Sequence, residues 1–184
     1  MIIPVCGMDP SFTHWGIAEG MLDLESGVLS TPLLQTIVTA KTKQKQLRVN
    51  SDDMQRCEDL AEITLQVARR NKVVFIECPV GSQNAAAMKS YGACVMLFGV
   101  LRAEGIPVIE ITAAESKKIF TGDKNATKQM MIDKAVELYP DANFPRYQRQ
   151  VAKGAEHVAD AIAAIHAGVR TPLFQNLMRL FAEV

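Results

Sequence analysis

The sequence predicts an α/β protein: a mixed five-stranded sheet, three antiparallel strands followed by two parallel ones, flanked by helices. Three observations carry this. Residues 1–40 alternate short β-rich runs with turn material. Two later apolar runs, KVVFIE at 72–77 and IPVIEI at 106–111, stand between long segments of helical periodicity. The rest of the chain has apolar residues at helical spacing, so helices must cover the sheet.

In order, IIPVCGMD, HWGIAEG and GVLSTPLLQTIVTA read as a three-stranded antiparallel meander, separated by Pro10-Ser11 and by Leu24-Glu25-Ser26-Gly27. KTKQKQLR, residues 41–48, carries four basic residues and no acid and reads as an exposed loop. From Ser51 to Arg70 the period is helical, with Cys57, Leu60, Ala61, Val67 and Ala68 on the expected inner face. Asp52 and Asp53 in its first turn and Arg69 and Arg70 in its last complement the helix dipole. KVVFIE has the unbroken apolar run of a buried central strand. A long helix over 84–104 follows, then IPVIEI. Further helices are expected at Thr112–Phe120, Ala126–Tyr139, Glu156–Gly168 and Leu173–Ala182.

Composition narrows the function. The chain has 184 residues, the range of one domain, with a C-terminal helical extension at about 170–184. Twenty basic residues balance twenty acidic ones, which excludes nucleic-acid binding by bulk charge but leaves room for a local basic groove. The longest apolar run, Ala93–Leu101, is well short of the ~20 residues of a membrane span. No secretory signal is read at the N-terminus. Cys6, Cys57, Cys78 and Cys94 form no metal-binding pair and are expected as buried free thiols of a cytoplasmic protein.

Acids at strand ends are the chemical signal. Asp9 closes the apolar first strand and Glu77 closes KVVFIE. A carboxylate there costs free energy unless it is solvated, paired or bound to a cation. If the two strands are neighbours, the acids lie side by side, an arrangement suited to a hard divalent cation; otherwise each simply caps its strand in water. In KGAEHVADAIAAI, His157 and Asp160 stand three apart on one helix face, beside the apolar stripe Val158, Ala161, Ile162 and Ile165. Glu156 is rotated by about 100° from His157 and is read as flanking.

Taken in order, GMDPSFTHWGIAEG, FIECPVGSQNAAAMKSYGACVMLFGVLRAEGIPVIEI, ESKKIFTGDKNATKQMM and AEHVADAIAAIHAG resemble the successive blocks of RuvC-type Holliday junction resolvases, which have the ribonuclease-H-like fold. The resemblance runs from about residue 2 to 168. It implies a catalytic, metal-holding set of Asp9, Glu77, His157 and Asp160, with Gly16 matching the glycine of the first block. It implies DNA contacts by Asn84, Lys117, Lys118, Lys124 and Lys128. It further implies a Mg²⁺-dependent crossover junction endonuclease with two ions per site and Mn²⁺ as a substitute. Asp9 would bridge the ions and His157 would serve as ligand or as base. The expected product carries a 5′-phosphate, the partner is branched DNA, and no membrane is involved. A homodimer would be formed through the 84–104 helix, whose nearly all-round apolar stretch otherwise means a helix sandwiched inside one subunit.

Two departures stand out. Where many bacterial members carry an aromatic three residues after the glutamate, this chain has Val80, and the segments at 41–48 and beyond 168 are extra. They point to a divergent, phage-encoded member and to cleavage chosen by junction shape more than by base sequence. Forks, flaps or RNA–DNA hybrids as substrates, or a non-catalytic nucleic-acid-binding module, are the alternatives. Basic residues gather at 41–48, 117–128 and 146–153, the last including YQRQVAKG just before the His157 helix.

Overall fold

The computed structural model describes residues 1–43, 48–79, 84–148 and 150–182. Val80 and residues 44–47 of the basic segment therefore lie outside the described residues. β1 (Ile2–Asp9), β2 (His14–Asp23) and β3 (Leu33–Val38) form the expected antiparallel meander. β4 (Val73–Glu77) lies parallel to β1, and β5 (Val108–Ile111) parallel to β4, giving the order β3-β2-β1-β4-β5. The strand β1 is thus central. The last strand of the meander is shorter than the sequence suggested, because Gly27–Pro32 are turn and loop residues, held by a bridge from Leu29 to Leu22 and by Met21 N donating to Ser30 Oγ.

Strand alternation divides the core in two. Cys6, Met8, Val74 and Ile76 point to the face covered by α1 (Val49–Arg70) and α2 (Ala85–Ala103). Val5, Val73 and Phe75 point to the other, covered by α3 (Ala113–Thr121), α4 (Lys128–Leu138) and α5 (Glu156–Gly168). The helix α3 starts on a reciprocal capping box between Thr112 and Glu115 and stops at Gly122 in the left-handed region. After α5, α6 (Pro172–Ala182) returns Phe174 onto Phe75, with ring centroids 5.3 Å apart. No described helix is long and apolar enough to cross a membrane.

Four readings need correction. The buried residues of α1 are Asp52, Arg56, Leu60, Thr64, Val67 and Ala68, while Cys57 is exposed. The register turns because Arg56 finds partners inside: its Nε donates to Thr39 Oγ1 at 3.1 Å and an Nη to the Phe12 carbonyl at 3.0 Å. Of the other thiols only Cys6 and Cys94 are buried; Cys78 is half-buried. The helix α2 is not sandwiched: Cys94, Leu97, Phe98 and Leu101 are buried, but Met96 is 71% exposed and Val95 and Val100 share its open side. The segment 146–151, expected only as basic chain, forms a hairpin of β6 (Arg146–Tyr147) and β7 (Gln150–Val151), with Gln148 at φ 48° in its turn.

Candidate active site

The site is assembled at the C-terminal ends of β1 and β4. Met8 pairs with Ile76, so the next residues, Asp9 and Glu77, are neighbours across the parallel ladder. On its other side Asp9 pairs with Gly16 of β2. That glycine admits α5. A Cβ on Gly16 would stand 2.1 Å from the His157 carbonyl oxygen, and one on Gly7 would stand 1.9 Å from that of Ala161. Only residues without side chains let the helix backbone come this close to the sheet. The alanines at 159, 161, 163, 164 and 167 in α5 serve the same approach and are fully buried.

The first turn of α5 is thereby set over the Asp9–Gly16 pair. His157 Nδ1 donates to Asp9 Oδ2 at 2.7 Å. Asp160, one turn further on, is close enough to Asp9 and Glu77 for all three charges to act on one another. Burial, then Asp160 and Asp9, push the Glu77 carboxyl up to about 8. Burial, then Asp9, push Asp160 up to about 7, with His157 and Lys117 pulling back. The hydrogen bond to Asp9 raises His157 above its ordinary value. The carboxyls thus retain protons that isolated acids would lose, the expected consequence of desolvated like charges.

Basic side chains surround the acids unevenly. Lys117 on α3 is close enough to lower both Glu77 and Asp160. Lys128, at the start of α4, pairs with Glu156 Oε1 at 2.5 Å, and that carboxylate is 3.8 Å from His157 Nε2. Part of the Lys128 charge is therefore neutralised inside the protein. Lys118 and Lys124 are exposed on the end of α3 and the loop after it, and neither forms an ion pair with a described residue. Asn84 caps α2, its Oδ1 accepting from Ala87 N at 2.9 Å.

One participant was missed from the sequence. The His14 ring stacks on that of His157, with centroids 5.4 Å apart and planes at 6°. The signal was available: residues 14 and 16 of a strand share a face, and Gly16 marks where α5 lands.

The donor set of Asp9, Glu77 and Asp160 is oxygen-rich and charge-frustrated, and so fits a hard divalent cation. Among the described residues, however, no three His, Cys, Asp or Glu side chains already form a metal cage. His157 bonds to Asp9 directly.

The sheet order and its helical layers define a ribonuclease-H-like α/β fold. No protein-family model matches the chain, and no curated protein matches it in sequence. Among solved structures, Thermus thermophilus RuvC in complex with a Holliday junction substrate superposes with a TM-score of 0.63 at 18% identity, covering 96% of each chain. Another Thermus thermophilus RuvC structure gives 0.62 at 22% identity, covering 96% of this chain and 97% of that one. The chain therefore has the RuvC fold.

Proposed function

We propose that this chain is a RuvC-type, metal-dependent endonuclease that cuts four-way DNA junctions by paired phosphodiester hydrolysis, in recombination and repair. The observation that carries the reading is the cluster of Asp9, Glu77, Asp160 and His157 at the C-terminal ends of β1 and β4 in a RuvC fold, with two of its acids raised by burial and then by their neighbours' charge. A surface that only binds DNA gains nothing from buried carboxylates facing phosphate.

Asp9, Glu77 and Asp160 would hold Mg²⁺, two ions per site, or Mn²⁺ in its place. Bound there, the cations would offset the phosphodiester charge and make water acidic enough to supply hydroxide. Asp9 lies between Glu77 and α5 and would be the carboxylate that the two ions share. His157 is oriented through Nδ1 and presents Nε2, which serves as a further ligand or moves the proton of the attacking water. Lys117 offsets phosphate charge beside the acids, and Asn84, Lys118, Lys124 and Lys128 take backbone contacts further out. The product has a 5′-phosphate and a 3′-hydroxyl.

Paired incision needs two sites. The open apolar side of α2, with Met96, Val95 and Val100, supports a two-fold dimer across that helix. Residues 1–184 would then act as one nuclease domain with α6 as its extension, in the cytoplasm of a bacterial or phage-infected cell.

The test compares a four-way junction, a fork, a nicked duplex and an RNA–DNA hybrid as substrates with Mg²⁺, using the wild type and Asp9→Asn. Mg²⁺-dependent, symmetrical incision of the junction that Asp9→Asn abolishes, without loss of junction binding, is the expected result. Rapid cleavage in EDTA, or near-normal turnover by Asp9→Asn, overturns the mechanism. His157→Asp separates the two roles of the histidine: a carboxylate substitutes for a ligand and not for an imidazole base.

A further inference from the structure

The turn that leaves Asp9 has a second structure behind it. Phe12 N donates to Ser90 Oγ of α2 at 3.1 Å, and the Phe12 carbonyl accepts from Arg56 at 3.0 Å and from the Thr39 hydroxyl at 2.5 Å. The Arg56 guanidinium, only 5% exposed, lies over the Phe12 ring at 4.0 Å, and Lys89 Nζ is 5.4 Å from the ring centroid. Three elements, α1, α2 and the end of β3, thus converge on one residue of the turn. Together they form the floor of an open cavity of about 460 Å³, walled by Thr13, Lys41, Lys89 and Ser90.

Its charge is its most informative property. Lys41, Arg56 and Lys89 all line it, and among the described residues no acid does. Two acids stand behind the lining: Asp53 pairs with Lys89 and lies 3.8 Å from Arg56, and Asp52 accepts from Thr42 N beside Lys41. Arg56 is engaged by the floor and is not available to a ligand. Lys89 and Lys41 are the cations a ligand could reach, and Asp53 competes for the first of them.

We propose that this cavity grips a backbone phosphate of the DNA strand that passes through the active site, with Lys89 and Lys41 as its ligands and Asp53 as the internal competitor that keeps the grip weak. The proposal rests on the nuclease reading above. Phe12 is three residues beyond Asp9, at most ~11 Å of chain, so the cavity lies within a few nucleotides of Asp9 along one strand. A phosphate held there would set the register of the strand at Asp9 without reading its bases.

Opposite effects of the two partners of one ion pair test this. Junction affinity is measured in EDTA, over a range of salt, for the wild type, Lys89→Gln and Asp53→Asn. Lys134→Gln and Glu137→Gln serve as controls, because they form a comparable pair at 3.0 Å on α4, away from the cavity. Loss of one phosphate contact makes the slope of log affinity against log salt less steep by ~0.9. Lys89→Gln should show that change, its deficit shrinking roughly 3.5-fold between ~50 and ~200 mM salt. Asp53→Asn should bind more tightly than the wild type, and the controls should not move. If both partners lose affinity, the pair is structural and the proposal fails. If neither changes while the wild type cuts junctions, the cavity assignment alone fails. A wild type that neither binds nor cuts branched DNA overturns the nuclease reading as well. Thermal melting in inorganic phosphate at matched ionic strength is the remaining arm. Stabilisation by phosphate that Lys89→Gln removes, with no effect of that variant on DNA, would assign the cavity to a free anion instead.

Discussion

The two ends of α5 carry the same residue type in opposite circumstances. At the first turn His157 donates to Asp9 and is held above its ordinary pKa. Nine residues on, His166 lies against Phe120 and Tyr139 and shares a 2.7 Å hydrogen bond with the Tyr139 hydroxyl. Burial, helped by Arg170 and Lys134, pushes it down to about 4, and burial raises Tyr139 to about 12. One end of the helix therefore stores charge beside a sheet edge, and the other excludes it from a core. The helix is a strut whose closed end sets the position of the end that carries His157.

The largest effects should come from forcing the strut off the sheet. Gly16→Ala would place a Cβ against the His157 backbone, where no side chain can move aside. A stability loss of about 1–3 kcal/mol and a fall in cleavage of ~100-fold or more, the cost of roughly 1 Å of misplacement, are expected. Gly168→Ala at the other end meets the Phe75 ring, with Cδ1 2.0 Å away. It should cost comparable stability but leave turnover per folded molecule unchanged. Urea denaturation together with cleavage normalised to the folded fraction separates the two. Equal losses of turnover would break the comparison.

The pH dependence of the metal-free protein should be intermediate in size, with opposed contributions from the two ends. His166 binds protons more readily when unfolded, so the stabilisation of its neutral form is present above about 6.5 and is lost as pH falls through about 4. Glu77 and Asp160 have the opposite sign. Their protonated forms favour the fold below the ordinary carboxylate range, and that contribution is lost as pH rises through about 7 for Asp160 and about 8 for Glu77. Between about 4.5 and 6.5 the two acids outweigh the one histidine, so urea midpoints in EDTA should fall as pH rises from about 4.5 to about 8. His166→Gln should steepen that fall below about 6.5, and Glu77→Gln should make it shallower throughout. Mg²⁺ should raise the midpoint more at alkaline than at acid pH. A fall that survives Glu77→Gln unchanged would remove that acid from the frustrated cluster.

The smallest effect is expected at the rim. Lys128 is 72% exposed, and its pair with Glu156 should contribute under ~1 kcal/mol. Lys128→Ala should shift the urea midpoint slightly and lower cleavage by less than ~10-fold. A larger loss of cleavage would mean that Glu156, once released, disturbs His157.

The elements were legible because their signals are local. The apolar runs of IIPVCGMD and KVVFIE define strands whatever lies around them, and α5 occupies the residues expected from its spacing. The candidate acids were legible for a related reason: a carboxylate closing an apolar strand is visible in the strand itself. Other features depended on partners far along the chain. Arg56 is buried, and Cys57 is not, because Phe12 and Thr39 offer acceptors across two other elements. Helical spacing cannot show that. The hairpin at 146–151 was hidden in a short polar stretch with no period long enough to read.

By itself the sequence determined the strands, most of the helices, and Asp9, Glu77, His157 and Asp160 as the residues to watch, since these follow from patterning and residue chemistry over short windows. The tertiary structure alone decided which of them touch. It bonded His157 to an aspartate 148 residues away, stacked His14 on it, paired Lys128 with Glu156, and left one side of α2 open. The physical reason is the close seating of α5 on Gly7 and Gly16, a backbone contact that depends on where the helix packs and not on any periodicity in the chain.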